Sequence, residues 1–144
     1  RRGVGARGRG GLAERQSVSG PASDFAGVDL VLGAPLLADE YVLAAGAASD
    51  GAEAIMVFNP EADDAATVTV AAVENGEVTP VDGLGDLTVA AGQRVVSIVD
   101  GVDPGTPLVV TADQPVVVER RLVFDDDVSG AIGVPVAGSL TEQP

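Results

Sequence analysis

Histidine, cysteine, lysine and tryptophan do not occur in this sequence, and each absence removes a class of chemistry. Without histidine there is no imidazole base, no Ser-His-Asp triad and no histidine metal ligand. Without cysteine there are no disulfides, no thiolate zinc sites and no thiol nucleophile, and the redox compartment stays undetermined. Without lysine there is no Schiff base. Only carboxylates remain as acid or base. A glycosidase can run on two of them, set ~5 to 9 Å apart across a sugar cleft. Such clefts usually offer aromatic platforms, however, and Phe25, Tyr41, Phe58 and Phe124 are the only aromatic residues. The sequence therefore reads as non-enzymatic, with no catalytic residue and no cofactor-binding residue assigned.

Positive charge is also scarce, and it is confined. Five of the eight arginines (Arg1, Arg2, Arg7, Arg9, Arg15) precede residue 16, whereas 21 of the 22 acidic residues follow Glu14. An acidic body repels phosphate backbones, which argues against nucleic acid as its partner. Screening by salt or divalent cations is expected to stabilise such a body by relieving self-repulsion. No apolar run reaches the ~18 residues of a membrane span. Arg1-Arg2 is followed by Gly-Val-Gly-Ala-Arg in place of an apolar segment, so it does not read as a twin-arginine export signal. The chain reads as a piece of something longer. Gly8-Arg9-Gly10-Gly11 lacks the strand, helix and lysine of a phosphate loop, and reads as part of a flexible arm.

What the sequence does hold is valine in alternation. Thr67-Val68-Thr69-Val70, Leu87-Thr88-Val89 and Val96-Ser97-Ile98 place apolar side chains at every second position, the period of a strand with one buried face. Asn75-Gly76 separates Val73-Glu74 from Glu77-Val78. Both central residues of a type I′ turn need positive φ, so this dipeptide predicts a hairpin. Asn59-Pro60, Asp82-Gly83, Asp103-Pro104-Gly105 and Asp113-Gln114-Pro115 mark further reversals. The resulting strands fall at about 28–32, 41–47, 53–58, 66–74, 77–81, 86–90, 94–99, 107–112, 115–124 and 131–136. Together they predict an all-β chain: an immunoglobulin-like antiparallel β-sandwich of about seven to ten short strands with no substantial helix. The predicted core is Leu43, Ile55, Val57, Val68, Val70, Leu87, Val89, Val96, Ile98, Val109, Val116, Val118 and Leu122. The domain reading places a sandwich at 28–136, an Arg/Gly-rich arm or remnant of a preceding unit at 1–27, and a tail or linker at 137–144.

A faint internal echo bears on those boundaries. Leu12-Ala13-Glu14-Arg15 is similar to Val117-Val118-Glu119-Arg120, Val18-Ser19-Gly20 to Val128-Ser129-Gly130, and Gly33-Ala34-Pro35-Leu36 to Gly133-Val134-Pro135-Val136. The spacing is about one sandwich long, as in a tandem repeat.

Five ordered motifs carry a family resemblance. They are Tyr41-Val42-Leu43, Val57-Phe58-Asn59-Pro60, an Ala-Thr-Val-Thr-Val strand at 66–70, Val89-Ala90-Ala91-Gly92-Gln93-Arg94, and Asp-Gln-Pro-Val-Val-Val-Glu-Arg at 113–120. In this order they resemble a repeat of secreted or surface-attached proteins of actinobacteria and related bacteria, a domain of unknown function. The resemblance covers about two thirds of the chain. It implies an extracellular or cell-surface β-sandwich, often in tandem, with no activity to carry over. That family commonly continues Asn-Pro into Gly, whereas Glu61 stands here, which questions how tight this turn is.

Two stretches carry candidate sites. Asp125-Asp126-Asp127-Val128-Ser129-Gly130 has an Asp-x-Asp-x-x-Gly spacing in which Asp125 and Asp127 offer hard oxygens suited to Ca²⁺. The later Glu of a full EF-hand is missing, so the preferred reading is a solvated inter-strand loop, with no cofactor. Glu119-Arg120-Arg121 interrupts a valine-rich strand. Neighbouring residues face opposite ways, so one arginine must face inward unless a bulge or sheet edge intervenes. Arg120 with Glu119 is expected to be structural, bonding a carboxylate or carbonyl. Asn59, Asn75 and Gly76 are assigned structural turn roles. The functional expectation is a structural or adhesive module whose partners are protein or a cell-wall glycan. Its alternatives are a glycan-binding accessory domain and a self-associating subunit that contacts like domains.

Overall fold

The computed structural model describes residues 14–19, 27–34, 36–46, 51–124 and 127–141. Within them the chain is all-β, and every strand pairing is antiparallel. The strands are β1 (Glu14–Ser19), β2 (Gly27–Leu32), β3 (Leu37–Leu43), β4 (Ala52–Phe58), β5 (Ala66–Glu74) and β6 (Glu77–Pro80). They continue with β7 (Leu87–Val89), β8 (Arg94–Ile98), β9 (Leu108–Phe124), β10 (Asp127–Ile132), β11 (Val134–Pro135) and β12 (Leu140–Thr141). Among the described residues no helix is long and apolar enough to cross a membrane.

Strand β9 organises the fold. Its first residues pair with β5 on one side and β3 on the other, from Val68↔Ala112 to Ala72↔Leu108 and from Glu40↔Thr111 to Leu43↔Leu108. Its later residues pair with β4 and β10, from Ala52↔Val123 to Phe58↔Val117 and from Asp127↔Phe124 to Ile132↔Glu119. The reversal expected at Asp113-Gln114-Pro115 is not a reversal, and the predicted strands 107–112 and 115–124 are one strand of 17 residues. The register moves from Glu40↔Thr111 to Ala38↔Val116, so Asp39 alone stands opposite residues 112–115. The extra residues form a bulge that redirects the strand from one set of partners to the next. Proline is tolerated there because the ladder is already broken. Asp113 helps to hold the bulge, its Oδ1 accepting from the Thr67 amide at 2.9 Å.

The buried cluster draws on both sets of strands: Tyr41 and Leu43 of β3, Ile55 and Val57 of β4, Val68 and Val70 of β5, Val89 of β7, and Leu108, Val110, Val116 and Val118 of β9. Small aliphatic side chains fill this core. Each fully buried valine or leucine is worth about 1.5–3 kcal/mol over exposure. Strand β4 is buried from Glu53 through Val57 without a break, so it is covered on both faces.

The predicted core is right in most places and wrong in β8. Val96 and Ile98 are 52% and 53% exposed, whereas Val95 and Val99 pack against the core. Both phases of Val95-Val96-Ser97-Ile98-Val99 carry two aliphatic residues, and the only polar one, Ser97, is on the inner, partly buried phase. Leu87, Val109 and Leu122 are partly rather than fully buried. The strand expected at 41–47 is Leu37–Leu43, and that expected at 131–136 is divided between β10 and β11. Strands β1 and β12 had no counterpart in the alternation pattern. β1 pairs with β2, and β12 pairs with β3 through Leu140↔Ala38 and Thr141↔Leu37.

The Asn75-Gly76 hairpin joins β5 to β6 as its chemistry requires: Glu74 pairs with Glu77, and φ is 54° at Asn75 and 83° at Gly76. Glycine reaches that region at no steric cost, and asparagine is among the few side chains that tolerate it.

Candidate functional site

Among the described residues, four polar or charged side chains are buried: Glu53, Asn59, Glu119 and Arg120. Three of them build two clamps on the backbone.

The first clamp is centred on Arg120. In β9 the residues Val118 and Arg120 alternate with Glu119 and Arg121, and Arg120 stands in register with Ile55, on the core side of β4. An inward guanidinium costs several kcal/mol unless its donors are met. Arg120 Nε lies 2.9 Å from Glu53 Oε1. Its Nη2 donates to the Leu43 carbonyl at 2.8 Å, and Nη1 donates to the carbonyls of Ala44, at 2.6 Å, and Ala45. One side chain thus gathers the last carbonyl of β3 and the two that follow it, and ties them to β4 and β9. Ala45 sits at φ 45°, a left-handed conformation that costs an alanine roughly 1–2 kcal/mol, and the guanidinium grips its carbonyl. Gly46 completes the fit: a Cβ there would stand 2.6 Å from Glu53 Oε2 and 3.1 Å from the Thr106 carbonyl oxygen. Glu119 is buried on the opposite face, in register with Met56 and Ile132.

The second clamp is Asn59, which has no exposed surface. Its Nδ2 donates to the carbonyls of Asp64 at 2.8 Å and Val89 at 3.0 Å, and its Oδ1 accepts from the Glu61 amide at 3.0 Å. Its own amide donates to the Gln93 carbonyl at 3.0 Å. The side chain closes the turn after β4 by bonding two residues on, a conformation that glutamate at 61 accommodates without the glycine of the resembling family. It also fastens that turn to β7.

Tyr41 is a third internal tie that sequence reading assigned only to a strand motif. Its hydroxyl donates to the Val116 carbonyl at 2.7 Å, just past the bulge in β9. Burial pushes the phenol above its ordinary value of 10.0, against a smaller opposing pull from a hydrogen bond with the Ala38 backbone. A lone tyrosine in a valine-rich chain was the signal available.

Of the calcium candidates, Asp125 lies outside the described residues. Asp127 opens β10, where its Oδ1 accepts from the Val128 amide at 2.8 Å. Among the described residues no three His, Cys, Asp or Glu side chains come together as metal ligands would. A cleft of about 230 Å³ opens beside the first clamp, lined in part by Glu53, Ile98, Asp100, Val102 and Asp103. Its one buried carboxylate is the one Arg120 engages.

No protein-family model matches the chain, and no curated protein matches it in sequence. In three dimensions the chain is similar to the crystal structure of Thermotoga maritima 1070. The TM-score is 0.60 at 14% identity, over 71% of this chain and 97% of that one. The likeness is one of fold.

Proposed function

We propose that this chain is a non-catalytic structural or adhesive module, an immunoglobulin-like sandwich that works at the cell surface or outside the cell. The observation that carries the reading is the use made of buried polarity. Asn59 and Arg120 spend their donors on carbonyls of their own backbone or on Glu53, which makes a stiff scaffold, and Glu53, the buried carboxylate that lines the cleft, is engaged by Arg120. The sandwich reading is supported by β9, which lends residues to two sets of strands whose apolar sides share one cluster. The surface location is supported by the resemblance that the five ordered motifs at 41–43, 57–60, 66–70, 89–94 and 113–120 carry. Protease or antibody access to the parent protein on intact cells tests it. Confinement of that protein to the cytosol overturns it.

One observation favours a second reading, self-association. Strand β8 ends the strand order with β4 as its neighbour, and beside that edge Phe58, Val96 and Ile98 are all exposed on one face. An apolar edge of this kind is suited to strand addition. Light scattering that finds a monomer at all concentrations rules it out.

A further inference from the structure

We infer that the β1–β2 hairpin is the closing hairpin of a preceding copy of the same unit, so that this chain spans a junction between two like domains. Register carries the inference. In β1–β2 the pairs run Glu14↔Leu32, Arg15↔Val31, Gln16↔Leu30, Ser17↔Asp29, Val18↔Val28 and Ser19↔Gly27. In β9–β10 they run Glu119↔Ile132, Arg120↔Ala131, Arg121↔Gly130, Leu122↔Ser129, Val123↔Val128 and Phe124↔Asp127. Moving Glu14 onto Glu119 and Gly27 onto Asp127 superimposes every pair. Glu14, Arg15 and Val18 then fall on Glu119, Arg120 and Val123, and Val28 and Gly33 on Val128 and Gly133.

Connection length normally sets the register of a hairpin. Here residues 20–26 join one pair of strands and residues 125–126 the other, so the connections differ and the register does not. What the two hairpins share is the pattern along the strands, and that pattern has a use in β9–β10. It presents an arginine to the end of β3 and an outer edge to β4.

Strand β1, by contrast, pairs with β2 in a two-stranded sheet. A two-stranded hairpin is marginal in water by itself. Among the described residues it carries the arginine position of β9 with no counterpart of β4 beside it, the arrangement left when the hairpin equivalent to β9–β10 is separated from the six strands that precede it in its unit. The solved fold agrees in extent, since nearly all of the Thermotoga chain is matched by 71% of this one. The partner is thus a second copy of this fold, N-terminal in the same polypeptide. Strand β10 faces it, because β2 already runs beside β10. The inference stands whether or not the protein is exported.

Two experiments test it. Val18→Cys/Val28→Cys and Val123→Cys/Val128→Cys are introduced separately into the full chain, which has no cysteine of its own. Equivalent registers predict that both pairs oxidise to a disulfide under the same conditions. Closure of the second pair alone overturns the equivalence. The coding sequence upstream of Arg1 is then read. It is expected to hold a valine-rich strand closing in Asn-Pro, with an acidic residue inside that strand. These should precede Arg15 by the spacings that separate Asn59 and Glu53 from Arg120. Upstream sequence without them, or none at all, overturns the inference.

Discussion

Removing the Arg120 guanidinium is the severest single change the structure predicts at a polar position. Arg120→Met keeps much of the side chain's apolar length but withdraws the donors held by Leu43, Ala44 and Ala45 and leaves Glu53 buried without its cation. Breaking a buried pair by removing one partner costs about 3–5 kcal/mol. That is a large share of the ~5–15 kcal/mol that holds a domain folded, and for a unit of ~100 residues it lowers Tm by more than about 10 °C. Glu53→Gln alone should cost less, because the guanidinium keeps its three carbonyls. The double variant should lose about 1–3 kcal/mol less than the sum of the singles, since no charge is then left buried alone. Urea unfolding followed by circular dichroism and by emission from Tyr41, the only tyrosine in a chain without tryptophan, gives each value. Exposed Arg94→Met supplies the reference and should stay within about 0.5 kcal/mol of the parent. A loss below about 1 kcal/mol for Arg120→Met, or singles that add, refutes the clamp.

Asn59→Asp should be worse than Asn59→Ala, because it sets a carboxylate against the carbonyls of Asp64 and Val89. Its deficit should shrink on acidification as that carboxylate is protonated, which thermal unfolding across acid pH measures. Tyr41 ionises in the folded state above its ordinary value of 10.0. The stability it lends is therefore complete below that pH and is lost as pH rises through the higher folded value, visible as phenolate absorbance that appears together with unfolding. Gly76→Ala should cost about 1 kcal/mol at φ 83°, whereas Ala45→Gly, at φ 45°, should cost nothing or stabilise slightly. Urea midpoints decide both.

The elements easiest to read from sequence were those whose local chemistry admits one answer. Asn75-Gly76 demanded a tight hairpin, and Thr67-Val68-Thr69-Val70 offered a single buried phase. Strand β8 was misread because its two phases are almost equally apolar, so the partner strand decides the face and local pattern cannot. Asp113-Gln114-Pro115 shows the same limit in another form. These residues favour a break in the ladder, but whether the break turns the chain back or bends it onward is set by the strands that pair on either side of it, β3 resuming from Glu40↔Thr111 at Ala38↔Val116. Of the clamps, the inward arginine followed from placing Arg120 and Arg121 on one strand. Its companions Glu53 and Gly46 are distant in sequence and carried no local mark.

The pairing of β12 with β3 sets how such a unit meets mechanical load. Leu37, at the beginning of β3, lies opposite Thr141 in β12, so a pull between the segments flanking the unit enters and leaves at neighbouring points. Tension then opens the seam one bond at a time, as a zipper does, instead of shearing many bonds together. Along that seam β12 comes first and β11 after it, while Ala38 is held from its other side by Val116 of β9. The unit therefore yields from its rim inward.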